Sequence, residues 1–379
     1  MMDNIFKNLS GKFGEIFKSN KGASVIGIDI GASAIKVVQL KYENGKAVIE
    51  TYGSISTAPF AEGVVGQVVA MSEESLVKAL EDLFKEANVT TRNSAMSIPA
   101  SASLVFLVEL PGAVGEKDVS SIIYNEARRY IPVPITEVSI DWWLVPKRPL
   151  DELTDDSMIP TEKQIKDEKT KVLVAAIHNE ALDKYKGLVN DAKLDTDFFE
   201  IEIFSSVRST LGQDLGTNLL LDLGASKTKV SVVDRGVIQD FHIINRGSHD
   251  ITQAMVTALG VDFHDAEAMK KEYGLSDNPK YPKASGVVET ALDYILFEAA
   301  NVILNYEKKY NKSIDKVILC GGGVLLKGIT EKAKEKFGTS VTLGNPFEHI
   351  DAPAFLEKVL AESGPEFAVA AGLALRKLR

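Results

Sequence analysis

One short phrase occurs twice in this chain. The first copy, at 29–37, reads Asp-Ile-Gly-Ala-Ser-Ala-Ile-Lys-Val, and the second, at 222–230, reads Asp-Leu-Gly-Ala-Ser-Lys-Thr-Lys-Val. Apolar runs precede and follow each copy, so each predicts two strands joined by a tight turn of Gly and Ser. Such a turn presents consecutive backbone N–H groups that can surround a phosphate. Two copies therefore predict two turns that face each other and hold one polyphosphate from both sides.

The side chains of the phrase predict further roles at this site. Asp29 and Asp222 stand at strand ends, where a carboxylate can hold a hydrated Mg²⁺. The metal would relieve the repulsion between two facing carboxylates, and the alternative role for either Asp is to cap its own turn. Lys36 and Lys229 follow seven residues after each Asp and are predicted to contact phosphate, although Lys227 competes with the second. The predicted phosphate contacts through backbone N–H groups and hydroxyls are Gly31, Ala32, Ser33, Gly224, Ala225 and Ser226.

A third glycine-rich segment follows later in the chain. The apolar run that ends at Cys320 predicts a strand, and Gly321, Gly322 and Gly323 come directly after it. A strand that ends in three glycines lets the backbone approach a flat ligand closely. The segment is therefore predicted to complete the site on the side of a nucleoside.

The three motifs, in this order, resemble the phosphate 1, phosphate 2 and adenosine motifs of the actin-like ATPase superfamily, which includes actin, sugar kinases, heat-shock chaperone ATPases and FtsA. The resemblance implies an α/β fold of two duplicated domains around a cleft that binds ATP and Mg²⁺. Glu267 and Lys270, one helical turn apart, match the family's ribose and adenine contacts, with a surface salt bridge as the alternative. Glu202, just before the hinge-like Ser205, is the candidate catalytic residue that would position a hydrolytic water.

The pattern of predicted elements divides the chain around these motifs. Residues 96–177 predict strands and a helix without a phosphate-type turn, and their position resembles that of the strand–helix subdomain inserted in FtsA. The predicted domains are an amphipathic N-terminal tail at 1–24, a first actin-like domain at 25–95 and 178–217 with the C-terminal helix 364–379, an inserted partner-binding subdomain at 96–177, and a second actin-like domain at 218–363.

Within the superfamily the chain resembles the PilM family of type IV pilus assembly proteins. The segments that carry this resemblance are 27–33, 203–208, 247–252 and 266–270, while Ser205 stands where the family pattern has Ala. The resemblance implies an ATP-binding scaffold that docks the cytoplasmic N-terminal segment of a PilN-like inner-membrane protein, in a groove between the nucleotide domain and the insertion. It also implies a peripheral position at the inner face of the cytoplasmic membrane, further contacts with other pilus components, and slow or negligible ATP hydrolysis.

Two other functions remain open at this point. A filament-forming ATPase like actin or FtsA has the same motifs, and the oligomeric state does not follow from the sequence. A small-molecule kinase of the sugar-kinase branch needs an Asp base beside the γ-phosphate, and the sequence offers no convincing candidate.

The composition limits which classes of partner and which cellular location are expected. The 379 residues carry 53 acidic and 43 basic side chains, a net charge of -10, and no basic domain, so nucleic-acid binding is not expected. Cys320 is the only cysteine, which allows no internal disulfide and is typical of a reducing cytoplasm. No run of 18 apolar residues predicts a membrane span, and the start lacks the apolar segment of a signal peptide. Residues 1–22 predict an amphipathic helix that contacts a membrane surface, packs on its own domain or stays disordered.

Overall fold

The computed structural model describes residues 23–112, 114–145 and 169–378. The N-terminal helix predicted at 1–22 lies outside these ranges. So does most of the segment at 147–171, which the sequence predicts as a mobile loop because 13 of its 25 residues are charged. In the part of the chain so described, no helix is both long enough and apolar enough to cross a membrane.

The described residues form two compact units. The smaller unit is Ser101–Asp183, and the larger unit consists of 23–100 and 184–378. The predicted insertion began at 96, which falls inside a strand at Asn93–Ile98 that pairs with two strands of the larger unit. Strand pairing, rather than local composition, therefore sets this boundary.

The strands are β1 Val25–Ile30, β2 Ala34–Glu43, β3 Lys46–Ser56, β4 Asn93–Ile98, β5 Ser103–Leu110, β6 Val138–Leu144, β7 Thr170–His178, β8 Asp195–Ile201, β9 Thr217–Leu223, β10 Thr228–Asp234, β11 Val237–Ile244, β12 Lys316–Cys320, β13 Ser340–Leu343 and β14 Ile350–Asp351. The α-helices are α1 Glu73–Glu86, α2 Glu116–Ala127, α3 Asn179–Asp191, α4 Glu202–Leu211, α5 Ser248–Leu259, α6 Phe263–Tyr273, α7 Ala284–Tyr310, α8 Ile329–Phe337, α9 Ala354–Ser363 and α10 Ala368–Leu378.

The larger unit contains two sheets. The first has the order β14-β3-β2-β1-β4-β8 and the second the order β11-β10-β9-β12-β13. Each sheet contains a hairpin made from one copy of the repeated phrase, β1–β2 in the first and β9–β10 in the second, and both hairpins are antiparallel. In each sheet a parallel strand lies beside the first strand of the hairpin, β4 in one and β12 in the other. The repeated phrase therefore occupies the same place in both sheets.

Helices cover both faces of the first sheet. Leu80 of α1 and Leu188 of α3 pack with Ile28 on one face. Ala370 and Ala374 of α10 pack on the other face, in the core around Val38 and Leu40. The second sheet packs one face against α5, α7 and α8 in a separate core. This burial of apolar area on continuous faces is the main stabilising contribution to the unit.

Local sequence explains where several helices begin and end. The Ser72 hydroxyl accepts the Ser75 N–H at 3.1 Å, so α1 begins with the predicted N-cap. Asp262 caps α6 in the same way, and Gly274 ends α6 at a φ of +57°.

The small residues of α10 allow a close approach to α4. Gly372 lies against the Ser205 backbone, where a Cβ would be 2.9 Å from the Ser205 Cα atom. The Ser209 hydroxyl donates to the Ala368 carbonyl at 2.6 Å. The helix predicted from small residues at the C-terminal end therefore packs directly on the helix that Glu202 begins.

The smaller unit is a three-stranded antiparallel sheet in the order β5-β7-β6. Helix α2 covers one face, where Val119 and Ile123 pack with Val108, Val172 and Val174. The outer strands of this sheet are β5 and β6.

Candidate functional site

The first hairpin closes with a turn that requires glycine. The Gly31 N–H donates to the Ala34 carbonyl at 3.0 Å, and a Cβ at Gly31 would lie 2.9 Å from that oxygen. Among the described residues, the N–H groups of Ala32 and Ser33 have no protein acceptor. The turn therefore offers two adjacent donors to an anion, as the phrase predicts.

The second hairpin repeats this geometry. The Gly224 N–H donates to the Lys227 carbonyl at 3.1 Å, and the N–H groups of Ala225 and Ser226 meet no acceptor in the described ranges. The Gly224 carbonyl also accepts the Ser248 N–H at 2.9 Å, which places the start of α5 against this turn.

Asp29 is a buried carboxylate at the end of β1. The Ser97 hydroxyl of β4 donates to its Oδ1 atom at 2.9 Å. Burial raises the pKa of Asp29, the positive charges of Lys36 and Lys229 oppose that rise, and the negative charge of Asp222 adds to it. These mutual effects place the two carboxylates of the repeated phrase in one electrostatic cluster.

The glycines after β12 pack against Asp222 and its neighbour. Gly321 has a φ of +88°, and a Cβ there would collide with Asp222 Oδ1. A Cβ at Gly323 would lie 2.8 Å from the Leu223 carbonyl oxygen, whereas a Cβ at Gly322 would meet nothing nearer than 4.0 Å. Gly321 and Gly323 are therefore required by the protein's own packing, and only Gly322 has space beside it.

Glu202 lies at the start of α4 with both carboxylate oxygens engaged. Its Oε1 accepts the Ala100 N–H at 2.8 Å, and its Oε2 lies 2.8 Å from Lys229 Nζ. Burial raises the pKa of Glu202, the Lys229 charge opposes this, and the charges of Asp222 and Asp29 reinforce it. The candidate catalytic carboxylate is therefore inside the cluster but committed to protein partners.

The two lysines of the repeated phrase have different surroundings. Lys229 Nζ lies 2.8 Å from Glu202 and 3.1 Å from Asp222, and its side chain is 15% exposed. Burial lowers the pKa of Lys229, but the two acidic neighbours outweigh burial and raise it above its ordinary value. Lys36 forms no ion pair with any residue that the structure describes. The sequence gives no sign of this difference.

Glu267 and Lys270 form a buried pair on α6. Their charged atoms lie 2.7 Å apart and both side chains are 9% exposed, so the pair does form a salt bridge, but a buried one rather than a surface one. The Thr252 hydroxyl donates to Glu267 at 2.7 Å, and Lys270 donates to the Ser248 carbonyl at 3.1 Å. Ser248 also contacts Gly224, so one residue links this pair to the second turn.

The electrostatics of the Glu267–Lys270 pair differ between the two partners. Burial acts to raise the pKa of Glu267, but the charge and hydrogen bond of Lys270 outweigh it and lower the pKa. Burial lowers the pKa of Lys270 despite the attraction of Glu267. We expect both groups to be charged near neutral pH, since their hydrogen bonds match that state.

Two further features of the candidate site were not predicted from the sequence. Gly66, with a φ of +92°, lies on the Glu267 carboxyl, where a Cβ would be 2.8 Å from Cδ. Tyr185 of α3 lines a cavity of about 140 Å³ beside Gly31 and Ala32. Burial and the charges of Asp29 and Glu202 raise the pKa of Tyr185. The sequence signals a glycine with positive φ, such as Gly66, only weakly. It gives no signal that a tyrosine on an amphipathic helix, such as Tyr185, faces a functional site.

Comparison with known families gives one match over most of the chain. The profile of the family described as Type IV pilus assembly protein PilM matches residues 27–378.

The chain is also similar to curated cell division proteins, at low sequence identity. The cell division protein FtsA of Enterococcus faecalis is 23% identical over 361 residues, covering 86% of this chain and 79% of its own length. The FtsA of Enterococcus hirae is 22% identical, with the same coverage of both chains.

Solved structures share the fold. A structure described as a PilM–PilN type IV pilus biogenesis complex aligns with a TM-score of 0.76 and 24% identity, covering 94% of this chain and 98% of that chain. The ethanolamine utilization protein EutJ from Carboxydothermus hydrogenoformans aligns with a TM-score of 0.53 and 15% identity, covering 94% and 92%. These likenesses confirm the predicted α/β actin-like ATPase fold.

Proposed function

Because the chain belongs to the type IV pilus assembly protein PilM family, we propose that it is an ATP-binding scaffold of type IV pilus assembly. The observation that carries the nucleotide part is the pair of hairpins whose turns each leave two adjacent N–H groups without a protein acceptor in the described chain. In this proposal, the turns at 31–33 and 224–226 hold the phosphates, and Glu267 and Lys270 contact the nucleoside.

Mg²⁺ fits the donor set of this cluster. Asp29 and Asp222 are hard oxygen donors, both buried and close enough to affect each other electrostatically. They would hold the ion through its water molecules, and the ion would supply positive charge to the phosphates. Gly321 supports the assignment of Asp222, because any larger residue there would displace this carboxylate.

We expect ATP hydrolysis to be slow or negligible. A hydrolytic water needs an acceptor in a fixed position. Each oxygen of Glu202 already accepts from one protein donor, Ala100 N–H and Lys229, so fewer lone pairs are left for a water. Turnover faster than about 1 s⁻¹, the low end of ordinary enzymes, would contradict this part of the proposal.

Thermal unfolding with ATP and Mg²⁺ tests the nucleotide site. A ligand that binds only the folded state adds about 2.7 kcal/mol of stability at a concentration of about 100 Kd, so the wild-type Tm should rise. Asp29→Ala and Asp222→Ala should lose most of this rise, while Asp277→Ala, which removes an exposed acid elsewhere, should keep it. An equal rise in all four proteins would refute the site.

The partner part of the proposal concerns the smaller unit. We assign to Ser101–Asp183 the binding of the cytoplasmic N-terminal segment of a PilN-like inner-membrane protein, since the solved PilM relative is described as a complex with PilN. Strands β5 and β6 are the outer strands of its sheet. They carry the half-buried apolar side chains of Val105, Leu107 and Trp143. Outer strands with apolar side chains can accept an extended peptide by adding a strand.

This role would place the chain in the cytoplasm, at the inner face of the membrane through its partner. Calorimetry with a synthetic peptide of that cytoplasmic segment tests it on the full chain. We expect a Kd in the micromolar range, about -8 kcal/mol, after the cost of ordering the peptide. Trp143→Ala should weaken binding at least about tenfold if its side chain is a contact of the usual aromatic strength.

The matched control is Tyr294→Ala, which removes an exposed aromatic side chain of α7 in the larger unit. Its affinity for the peptide should equal that of the wild type. Absence of peptide binding by the wild-type chain, with and without nucleotide, would remove the support for the scaffold and favour a filament-forming ATPase.

A further inference from the structure

Lys229 joins two elements that come from different parts of the chain. It stands in β10, opposite Asp222 of β9, and its ammonium group also reaches Glu202 at the start of α4. The side chains of Lys229, Glu202 and Asp222 are 15%, 12% and 11% exposed, so these charges interact with little screening by solvent.

The equivalent lysine of the first hairpin lowers the pKa of Asp29 through its charge, but it makes no direct ion pair with a described residue. Lys36 stands opposite Asp29 in the same register, yet it forms no ion pair among the residues described. Asp29 instead accepts a hydrogen bond from the Ser97 hydroxyl, at 2.9 Å. The repeated phrase thus places one lysine on a carboxylate cluster and leaves its counterpart without an ion-pair partner.

The cluster holds three buried carboxylates, those of Asp29, Asp222 and Glu202. Lys229 is the cation in direct contact with two of them. Buried carboxylates without a nearby cation are costly, because desolvation penalises each charge. If these groups are to stay ionised, some positive charge is therefore required here before any ligand arrives.

We propose that Lys229 is an internal counter-ion for this cluster. It supplies the positive charge that a metal–nucleotide complex would otherwise bring to Asp222 and Glu202. The proposal rests on the proposed nucleotide site.

The proposal predicts that a divalent cation binds to the cluster when the charge of Lys229 is removed. Lys229→Met keeps the length of the side chain and removes the ammonium group, so the carboxylates lose their cation. Oxygen ligands in such a cluster suit a hard divalent cation. Mg²⁺ alone, without nucleotide, should then bind the variant and stabilise it.

Thermal unfolding in EDTA and in millimolar Mg²⁺ tests this, with no nucleotide present. In EDTA, Lys229→Met should unfold roughly 5–10 °C below the wild type, the scale expected for an uncompensated buried charge. Mg²⁺ should recover at least about half of that loss while leaving the wild-type Tm unchanged. Lys36→Met is the matched control: Lys36 affects Asp29 electrostatically but forms no ion pair within the described chain. It should therefore lose less stability in EDTA than Lys229→Met and gain less from Mg²⁺.

Two further variants separate charge from packing. Lys229→Arg keeps the positive charge and should show no gain from Mg²⁺. In the double variant Lys229→Met with Glu202→Gln, one carboxylate charge is gone, so its Tm in EDTA should lie above that of Lys229→Met. If Lys229→Met is too unstable to purify, the gain from Mg²⁺ is measured in the double variant, whose Asp29 and Asp222 remain.

A Lys229→Met protein as stable as the wild type in EDTA would overturn the proposal, and so would a loss that Mg²⁺ does not reduce. A double variant no more stable than the single one would show that packing, not charge, is responsible. The nucleotide assay is independent of all these measurements. A wild-type chain that ignores ATP while Lys229→Met responds to Mg²⁺ would refute the proposed function and leave the counter-ion in place.

Discussion

Replacing Glu200 by Gln should destabilise the larger unit strongly. Glu200 is the second-last residue of β8, with 1% of its side chain exposed. Arg208 of α4 donates to both of its oxygens, each at 2.7 Å, and Arg376 of α10 donates to one at 2.5 Å. The Ser205 hydroxyl donates to the same carboxylate. One buried negative charge thus fixes two helices that pack on each other.

The magnitude follows from the pKa of Glu200. Burial alone would raise this pKa, but the charges and hydrogen bonds of Arg208 and Arg376, with the Ser205 hydrogen bond, lower it from 4.5 to about 2. At about 1.4 kcal/mol per pKa unit, the difference corresponds to about 3–4 kcal/mol of stability. Two buried guanidinium groups left without their acid would cost a similar amount, about 3–5 kcal/mol.

Urea unfolding at pH 7 measures this loss. Glu289→Gln is the control, because Glu289 also pairs with a lysine, Lys332 at 2.6 Å, but is 50% exposed. An exposed pair of this kind contributes less than about 1 kcal/mol. If Glu200→Gln costs no more than Glu289→Gln, the buried ion pairs do not stabilise the fold as argued.

The pH dependence gives a second check on the same charge. A folded-state pKa below the unfolded value contributes stability that is complete above the unfolded pKa and is lost as pH falls toward the folded pKa. The gap between wild type and Glu200→Gln should therefore be constant above about pH 4.5 and shrink between there and about pH 2. A gap that stays constant throughout would show that shape, not charge, accounts for the loss.

Three other substitutions or labels test the packing around the site. Gly372→Ala should cost about 1–3 kcal/mol in urea unfolding, because the new methyl group would overlap the Ser205 backbone; an unchanged midpoint would contradict the close approach. Gly66→Ala should cost about 1–3 kcal/mol, because φ is +92° and the Cβ would press on Glu267; hydrogen exchange at 64–67 should rise, and unchanged exchange would contradict the contact. Cys320 should resist a thiol reagent until the protein unfolds, since burial raises its pKa well above the ordinary value and the thiolate is the reactive form; rapid labelling of the folded protein would contradict its burial.

The sequence predicts those features that depend on residues close together in the chain. Gly31 and Gly224 close equivalent turns because each needs only a carbonyl three residues later. Ser72 caps α1 because the N–H that donates to its hydroxyl, that of Ser75, is also three residues away. Such interactions repeat whenever the local pattern repeats.

Contacts between distant residues were not predictable from the sequence. Ser97 reaches Asp29 across 68 residues, and Ala100 reaches Glu202 across 102. No spacing rule connects such positions, because a third element sets their distance. The same reason applies to β8, whose mixed polar and apolar sequence becomes a strand by pairing with β4. It also applies to the two-residue strand β14, which pairs with β3.

The two copies of the repeated phrase show, within one site, which features depend on nearby residues in the chain and which depend on distant ones. Both copies produce the same hairpin, the same glycine turn and the same lysine register, because these depend only on the phrase. They differ in what other elements bring to them: β4 brings a serine hydroxyl to Asp29, while α4 brings a carboxylate to Lys229. A duplicated backbone therefore does not imply duplicated electrostatics. Among the described residues, Lys36 forms no ion pair, whereas Lys229 contacts Glu202 and Asp222. Substitutions at these matched positions should therefore have unequal effects.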